Sequence, residues 1–260
     1  MVLKTCTNCS RKKFYKMGRG NWRCAHCRKD FVAPKLPLRM SRKQWRQLLH
    51  WFLLEQNTNS LVLHTGLEKG RILRALMYAR KAMAKDVPQA FCGTVEVDET
   101  YLGGQRKNQR QSERAKKVKR GRGTTKLPVF GILCRNGLVW AEVVDDTTAE
   151  TLMPLIKRRV LKGSTVCSDT WKGYTGVAAN GYVHRLVNHS AGEYSNLKGS
   201  HINGLEGFWG FLKRKLASKG GIRRARLPFY LAEYVWRYNH RGENERLKIK
   251  RVLSLLKREI

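Results

Sequence analysis

The chain is short of acid. Asp and Glu number 19 against 53 Lys and Arg in 260 residues, a formal net charge of +34. So large an imbalance repels itself in a compact state and seeks a polyanion: nucleic acid or an anionic membrane surface. It disfavours an enzyme for small cations and an inert structural domain. Also missing is any apolar run near the roughly 18 residues that a membrane span needs. Residues 1–10 hold no apolar h-region, so no secretory signal is expected. The expectation is a cytoplasmic protein beside the bacterial nucleoid, or a nuclear one in a eukaryote, with no membrane partner. In that setting seven cysteines read as metal ligands or buried thiols rather than disulfides. Apolar residues are not lacking, and a 42% share supports a folded core.

Cys6-x-x-Cys9 and Cys24-x-x-Cys27 are separated by fourteen intervening residues. Two residues between cysteines let both sulfurs of a tight turn face one ion. Two such knuckles supply the four thiolates of tetrahedral zinc, whereas a redox motif needs only one pair. Phe14, Tyr15 and Trp22 between them read as short strands with a turn at Gly18 and Gly20. The spacing predicts a structural zinc ribbon over residues 1–36. Lys4, Arg11, Lys12, Lys13, Arg23 and Arg28 tilt its role toward DNA, although a ribbon also serves simply to fold its own segment. Cys92, Cys134 and Cys167 lie in apolar runs and read as core. Pro34 and Pro37 mark a linker.

Residues 37–90 carry a helical period. Ser41 is a good N-cap ahead of Trp45, Leu48, Leu49, Phe52 and Leu53 at the i, i+3, i+4, i+7, i+8 spacing. A short helix around 59–64 and a Thr65-Gly66 turn follow. A third helix starts near Glu68, with Ile72, Leu73, Leu76 and Met77 inward and Lys69, Arg71, Arg74 and Lys81 outward. The pattern suits a helix-turn-helix whose second helix enters a major groove. The plainer alternative is a small bundle that links or dimerises. Pro88 closes the segment.

From Gly93 the period changes to two. Thr94 to Tyr101 alternates as a strand. Strands at 128–134 and 138–144 are joined by Arg135-Asn136-Gly137, a hairpin signal. A helix at 148–161, a strand at 164–169, a helix at 171–179 and a strand at 182–187 follow. This is the order of an α/β ribonuclease-H-like fold, in which the first and fourth strands are neighbours at the sheet centre. Asp98 and Asp169, 71 positions apart, are then expected to converge. Glu206 follows 37 positions later, on a helix whose apolar stripe is Leu205, Trp209, Leu212 and Leu216. Gly204, Gly207 and Gly210 in that helix suggest a close backbone approach. Lys213 lies about two turns beyond Glu206 and shares its face, one turned to metal and the other to phosphate.

Three carboxylates offer hard oxygen ligands that repel one another until Mg²⁺ or Mn²⁺ neutralises them. Two such ions activate an attacking oxygen and stabilise a leaving oxygen. A phosphodiester substrate accounts for both the carboxylates and the positive charge. The bland readings remain open: strand aspartates cap turns, and a helix glutamate is usually solvated. Glu96 shares the strand face of Asp98 and is a rival or supporting group. Asn203 is a rival to Glu206. Glu99 points the other way, and Asp145 and Asp146 read as turn formers.

At these residues the chain resembles the zinc-ribbon DDE insertion-sequence transposases, bacterial relatives of the Merlin transposon transposases. The matching pieces are the Cys6/Cys9/Cys24/Cys27 ribbon, Val97-Asp98-Glu99-Thr100-Tyr101-Leu102-Gly103-Gly104, Ser168-Asp169 with Trp171-Lys172-Gly173-Tyr174, Asn188-His189-Ser190, His201-Ile202-Asn203-Gly204-Leu205-Glu206-Gly207-Phe208-Trp209 and Trp236-Arg237-Tyr238-Asn239. The ordered set is more specific than any one motif. The resemblance implies Asp98, Asp169 and Glu206 as a catalytic triad holding two Mg²⁺ or Mn²⁺ ions, with Lys213 as its basic companion. Some members of the group use Asn as the third ligand, which keeps Asn203 open. His189 and His201 match motif positions and take a supporting role.

Residues 105–126 hold ten Lys or Arg against Glu113 alone, where most of the group has a basic insertion. Arg106, Lys116, Lys117, Lys119 and Arg120 are expected to order on DNA phosphates. The stretch 192–199 reads as a second flexible loop. In the tail, Phe229, Leu231, Tyr234, Val235 and Tyr238 fall at helical spacing and read as core. The expected layout is a ribbon at 1–36, a helix-turn-helix-like module at 37–90, a catalytic domain at 91–222 and C-terminal helices at 223–260. The expected activity is hydrolysis at transposon ends and strand transfer into target DNA. Recognition of paired terminal inverted repeats implies a homodimer or larger active complex. A domesticated, non-catalytic DNA-binding regulator and a structure-selective nuclease on the same fold are the alternatives.

Overall fold

The computed structural model describes residues 5–6, 8–18, 21–32, 36–103, 111, 126–135, 137–187 and 202–256. Arg106, Lys116, Lys117, Lys119, Arg120, His189 and His201 lie outside them. Two compact units emerge, residues 1–79 with 245–260, and residues 80–244. The tail 223–260 is shared between them, its first helix in the second unit and its last in the first.

In the first unit β1 (Phe14–Lys16), β2 (Asn21–Cys24) and β3 (Asp30–Val32) form an antiparallel sheet in that order. Its core is Cys6, Cys24 and Phe31, with Phe14 edge-on to Trp22 at 5.5 Å and to Phe31 at 5.9 Å. Helix α1 (Arg42–Leu53) opens with a reciprocal cap. Ser41 Oγ accepts the Gln44 N–H at 3.2 Å, and Gln44 Oε1 accepts the Ser41 N–H at 2.8 Å. Helix α2 (Thr58–Thr65) is capped by Asn57 and stops at Gly66, whose φ of 64° costs a glycine little. Helix α3 (Lys69–Ala84) starts where the Glu68 carboxylate accepts the N–H groups of Gly70 at 2.7 Å and Arg71 at 3.0 Å. Its buried face runs through Ile72, Ala75, Leu76 and Ala79. Leu73, expected inward, is 48% exposed, because a stripe through 72, 76 and 79 leaves residue 73 on the flank. The C-terminal helix Glu245–Leu256 buries Val252, Leu253 and Leu256 and packs along α1, where His50 Nδ1 hydrogen-bonds Glu245 Oε1.

The second unit is built on β4 (Thr94–Leu102), β5 (Leu127–Cys134), β6 (Val139–Val143), β7 (Thr165–Ser168) and β8 (Val183–Leu186). The sheet order is β6-β5-β4-β7-β8. β4, β5 and β6 are antiparallel, and β7 and β8 run parallel to β4. The strand sequence and pairing are those expected from the sequence, with β4 at the centre. Period-two alternation splits the core. Val95 and Val97 pack with Leu152 and Ile156 of α4 (Ala149–Arg159). Val129 and Leu133 face α5 (Asn203–Ala217) and α6 (Leu227–Asn239), which bury Leu205, Phe208, Trp209, Leu231 and Tyr234.

One expected helix is absent. Between β7 and β8 stand two single turns, Lys172–Tyr174 and Ala178–Asn180. The Trp171 indole donates to Thr147 O at 3.0 Å, a Cβ on Gly173 would lie 2.7 Å from that same oxygen, and Gly176 takes φ +91°. A backbone pinned at one end and left-handed at Gly176 cannot continue a helix. The tail motif is structural. Trp236 Nε1 donates to Asp86 Oδ2 at 2.9 Å. Buried Glu233 accepts from Arg80 Nε at 2.7 Å and Arg237 Nε at 2.9 Å. The Asn239 amide bridges Val139, accepting its N–H and donating to its carbonyl, both at 2.8 Å. That closes part of the β6 edge, which would otherwise offer unpaired backbone. No helix among the described residues is long and apolar enough to cross a membrane.

Candidate active site and metal centre

The sulfurs of Cys6, Cys9, Cys24 and Cys27 all lie within 4.8 Å of one another. Cys6 and Cys27 are 3.8 Å apart, Cys9 and Cys24 3.5 Å. A tetrahedron with metal–sulfur bonds of ~2.3 Å has edges of about 3.8 Å, so the cluster is sized for a tetrahedral ion. Backbone N–H groups point at the sulfurs, as Asn8 does at Cys6 Sγ over 3.4 Å. The N–H of Cys27 chiefly, helped by that of His26, draws the Cys24 thiol down to about 6. The Lys29 N–H lowers Cys27. Cys9 rises to about 11 against the pull of the Arg11 N–H, through burial and its neighbouring thiols. Four thiols this close cannot all ionise without a cation among them, and thiolates are the ligand form.

The second cluster forms where β4 passes under α5. Asp98 pairs in register with Gly131 of β5. A Cβ on Gly131 would come within 2.6 Å of the Trp209 ring, so the glycine makes room for the indole. Trp209 Nε1 donates to Asp98 Oδ2 at 3.0 Å. On the other side, Thr94–Glu96 pairs with Thr165–Cys167 of parallel β7. Two residues beyond that pairing, Asp98 lies on β4 and Asp169 just past the end of β7, close enough for the charge of Asp169 to act on Asp98. Asp169 Oδ1 accepts the Trp171 N–H at 3.0 Å, which fixes its rotamer just past the strand end.

Burial pushes the Asp98 carboxyl up to about 7, and the charges of Glu99 and Asp169 add to the rise. The Glu99 N–H and the Trp209 indole pull the other way. Such a group ionises readily only beside a compensating cation. Lys213 feels Asp98: burial lowers its ammonium, Asp98 raises it, and Lys126 lowers it again. Glu99 turns to the opposite face, as expected, and accepts from the Tyr174 hydroxyl at 2.7 Å. Burial holds that phenol protonated, its pKa well above the usual value.

Asp98 and Asp169 are therefore brought together, with Lys213 in electrostatic reach. Glu206 is carried on α5 three residues before Trp209, exposed, and Asn203 opens the same helix, also exposed. The third carboxylate is not closed onto the pair: among the described residues only the four cysteines place three or more such ligand atoms within 4.8 Å. Glu96 is fully buried and accepts the Leu205 N–H at 2.9 Å, with Arg135 Nε 3.6 Å from its other oxygen. The expected close approach exists at Gly204, where a Cβ would lie 2.9 Å from Glu96 Oε2. It does not at Gly207, which faces open space, or at Gly210, which meets only the Arg214 side chain at 3.4 Å.

On the helical module Lys69 and Arg74 are exposed, whereas Arg71 donates to Leu38 O at 2.8 Å. Asp146 is a turn former, accepting the Thr148 N–H at 2.9 Å. Cys134 and Cys167 are core, but Cys92 is exposed rather than buried. Two contributors are not evident from the sequence: the Trp209 indole and the buried Ser168 hydroxyl, which meets His184 Nε2 at 2.9 Å beside Asp169. The place of Trp209 in the apolar stripe, one turn from Glu206, is legible in the sequence, but its hydrogen bond to Asp98 is not. Ser168–His184 leaves no signal, because it depends on pairing between β7 and β8.

Residues 91–239, more than half of the chain, match the model of the ISXO2-like transposase domain, and the chain belongs to this family of insertion-sequence transposases. An uncharacterized transposase-like protein of Haemophilus influenzae is 33% identical over 119 residues, 46% of this chain and 90% of that protein. Among solved structures, the Mos1 transposase paired-end complex with the left transposon end shows 13% identity and a TM-score of 0.27, covering 88% of this chain and 82% of that one. The pre-cleavage Mos1 transpososome shows 12% and 0.26, covering 88% and 81%. These TM-scores mark a loose likeness.

Proposed function

We propose that the chain is a catalytically competent DNA transposase that cuts phosphodiesters at the ends of its element and joins the freed 3′ ends to target DNA. The observation that carries this reading is a half-buried Asp98 that feels the charge of Asp169 and is hydrogen-bonded by Trp209, on the helix bearing Glu206 and Lys213. Asp98, Asp169 and Glu206 are the catalytic carboxylates, with Asn203 the alternative third ligand. Their hard oxygens, and an Asp98 carboxyl pushed up to about 7 chiefly by burial and further by the charge of Glu99, fit Mg²⁺ or Mn²⁺ rather than a soft metal. Two such ions, when bound, supply charge stabilisation for the attacking and leaving oxygens of an in-line displacement.

The chain's own groups do the positioning. Trp209 holds one oxygen of Asp98, and Trp171 holds one of Asp169. Lys213 contacts a phosphate oxygen beside them. Water is the nucleophile at the element end and the freed 3′-hydroxyl the nucleophile at the target, so no covalent protein intermediate is needed. The four cysteines hold a structural Zn²⁺, which their spacing fits. Helix α3, with Lys69 and Arg74 outward and Arg71 braced on Leu38, reads the terminal inverted repeat as the second helix of a helix-turn-helix. Arg106, Lys116, Lys117, Lys119 and Arg120 add phosphate contacts, and His189 and His201 a supporting role. Two ends in one complex call for at least a homodimer.

A labelled duplex carrying an element end, incubated with the protein and Mn²⁺, tests the reading. Nicked and joined products from the native chain, both lost in Asp98→Asn, support it. Nicking without joining makes the protein a nuclease, and binding alone a regulator. Undiminished cleavage by Asp98→Asn removes the site assignment.

A further inference from the structure

Helix α5 begins without a cap of its own. Its N-cap position is Ile202, which has no side-chain oxygen to offer the first N–H groups. The cap comes instead from the sheet: Glu96 Oε2 accepts the Leu205 N–H at 2.9 Å. A carboxylate at a helix N-terminus also meets the favourable end of the helix dipole. Four residues on, Trp209 Nε1 reaches Asp98 Oδ2 at 3.0 Å. Four helical residues advance about 6 Å, and two strand residues about 6.6 Å. The step from Glu96 to Asp98 therefore matches the step from Leu205 to Trp209, and the two contacts together fix both the slide and the rotation of α5 on β4. Two glycines permit the approach, Gly204 above Glu96 and Gly131 beneath the Trp209 ring. Glu206 lies between the two contact points.

We infer that Glu96 and Trp209 form a two-point clamp that positions Glu206 relative to Asp98 and Asp169 and orients the Asp98 carboxylate for a divalent cation. The inference rests on the carboxylate site proposed above and adds two positioning residues to it. The two strand acids have different tasks. Glu96 holds the helix and is walled off from solvent. Asp98 gives Oδ2 to the indole, which sets how the carboxylate is turned.

Four variants test the clamp by Mn²⁺ titration in electron paramagnetic resonance, by cleavage kinetics and by thermal melting without added divalent ions. Trp209→Phe keeps an aromatic ring and loses only the N–H donor. It is expected to melt near the native chain, bind Mn²⁺ about 10- to 100-fold more weakly, and lose kcat with little change in KM for DNA. Glu96→Ala is expected to lose activity, and Glu96→Gln, which keeps an acceptor for Leu205, to restore most of it. Native Mn²⁺ affinity and kcat in Trp209→Phe overturn the clamp, as does Glu96→Gln no more active than a folded Glu96→Ala. If Glu96→Ala does not fold, Trp209→Phe decides alone. Asp98→Asn separates the two levels. If it binds Mn²⁺ like the native chain, the carboxylate site itself is misassigned and the clamp falls with it. If it loses Mn²⁺ while Trp209→Phe does not, only the clamp falls.

Discussion

The cysteine cluster and the proposed carboxylate site face the same problem, gathering like-charged ligands, in opposite ways. The cysteines come in two local pairs on tight turns, and their sulfurs already stand at the spacing of a tetrahedral shell. The carboxylates come from two strands and a helix, each tied to its own scaffold. Asp98 is held by Trp209, Asp169 by Trp171, and Glu206 stands on an exposed turn of α5. A site made locally is rigid and closed, which suits a structural ion. A site assembled from distant elements leaves one face open, which a phosphodiester needs.

The sharpest way to break the comparison is at Asp98. Asp98→Asn is expected to reduce cleavage by more than the ~100-fold upper range of a supporting residue, while end-specific binding in a gel-shift assay stays native. The same variant should melt no lower than the native chain at neutral pH without divalent ions, because it removes a carboxylate whose ionisation burial opposes. Lost binding would mean that Asp98 serves the fold rather than the reaction. At the other site, Cys24→Ser or zinc removal is expected to unfold the ribbon, whose core among the described residues is otherwise Phe31 and its aromatic neighbours. Structural zinc in small modules contributes roughly 10 kcal/mol of folding free energy, far more than so small a core supplies. Loss of dispersion in the Trp22 resonances, with the sheet signals of residues 94–187 unchanged, is the expected outcome. Collapse of both sets would show that the ribbon supports more than itself.

A subtler expectation concerns pH. Burial raises Asp98 from 3.8 to about 7, so across that window the folded chain holds a proton the unfolded chain has lost. Stability without divalent ions therefore falls as pH rises from 3.8 toward 7 and levels off above it, by an amount on the order of a few kcal/mol. Asp98→Asn should flatten that slope in urea titrations at pH 5, 6, 7 and 8. Because proton and cation compete for one carboxylate, half-saturating Mn²⁺ should also rise as pH drops below 7, by up to ~tenfold per unit. A native slope in Asp98→Asn would place the titrating group elsewhere.

What is legible in the sequence follows the same divide. The cysteine cluster can be read from spacing, because the ligands in each pair are set by a local turn. The sheet order can be read from period and turn signals, and with it the meeting of Asp98 and Asp169. Interactions that depend on the helix lying at one height on the sheet cannot. Nothing in a linear pattern says that Trp209 reaches Asp98, or that Glu96, two residues before Asp98, is a helix cap. The crossover at 171–179 reads as a helix because its apolar residues carry the right period. What stops it is the left-handed φ at Gly176 and the packing of Gly173 against Thr147. Leu73 reads as inward for a related reason: a helix's buried stripe is fixed by its neighbours, not by its own composition.

The smallest expected effect lies on α3. Lys69 and Arg74 are exposed, and Arg74 has only a loose 3.9 Å ion pair with Glu68. Arg71 instead has a donor committed to Leu38 O. If α3 enters a groove, Lys69→Ala and Arg74→Ala should each weaken end binding. A side chain that neutralises a phosphate would, when removed, weaken binding to all sequences alike and reduce the slope of log K against log salt by about 1. A side chain that reads a base would instead relax specificity at one position by roughly 1–3 kcal/mol. Arg71→Ala should lower the melting temperature of the module while leaving the salt slope nearly unchanged. A melting loss in Lys69→Ala and Arg74→Ala, with the salt slope intact in all three, would make α3 a packing element and return the reading of DNA to the basic segment at 105–126.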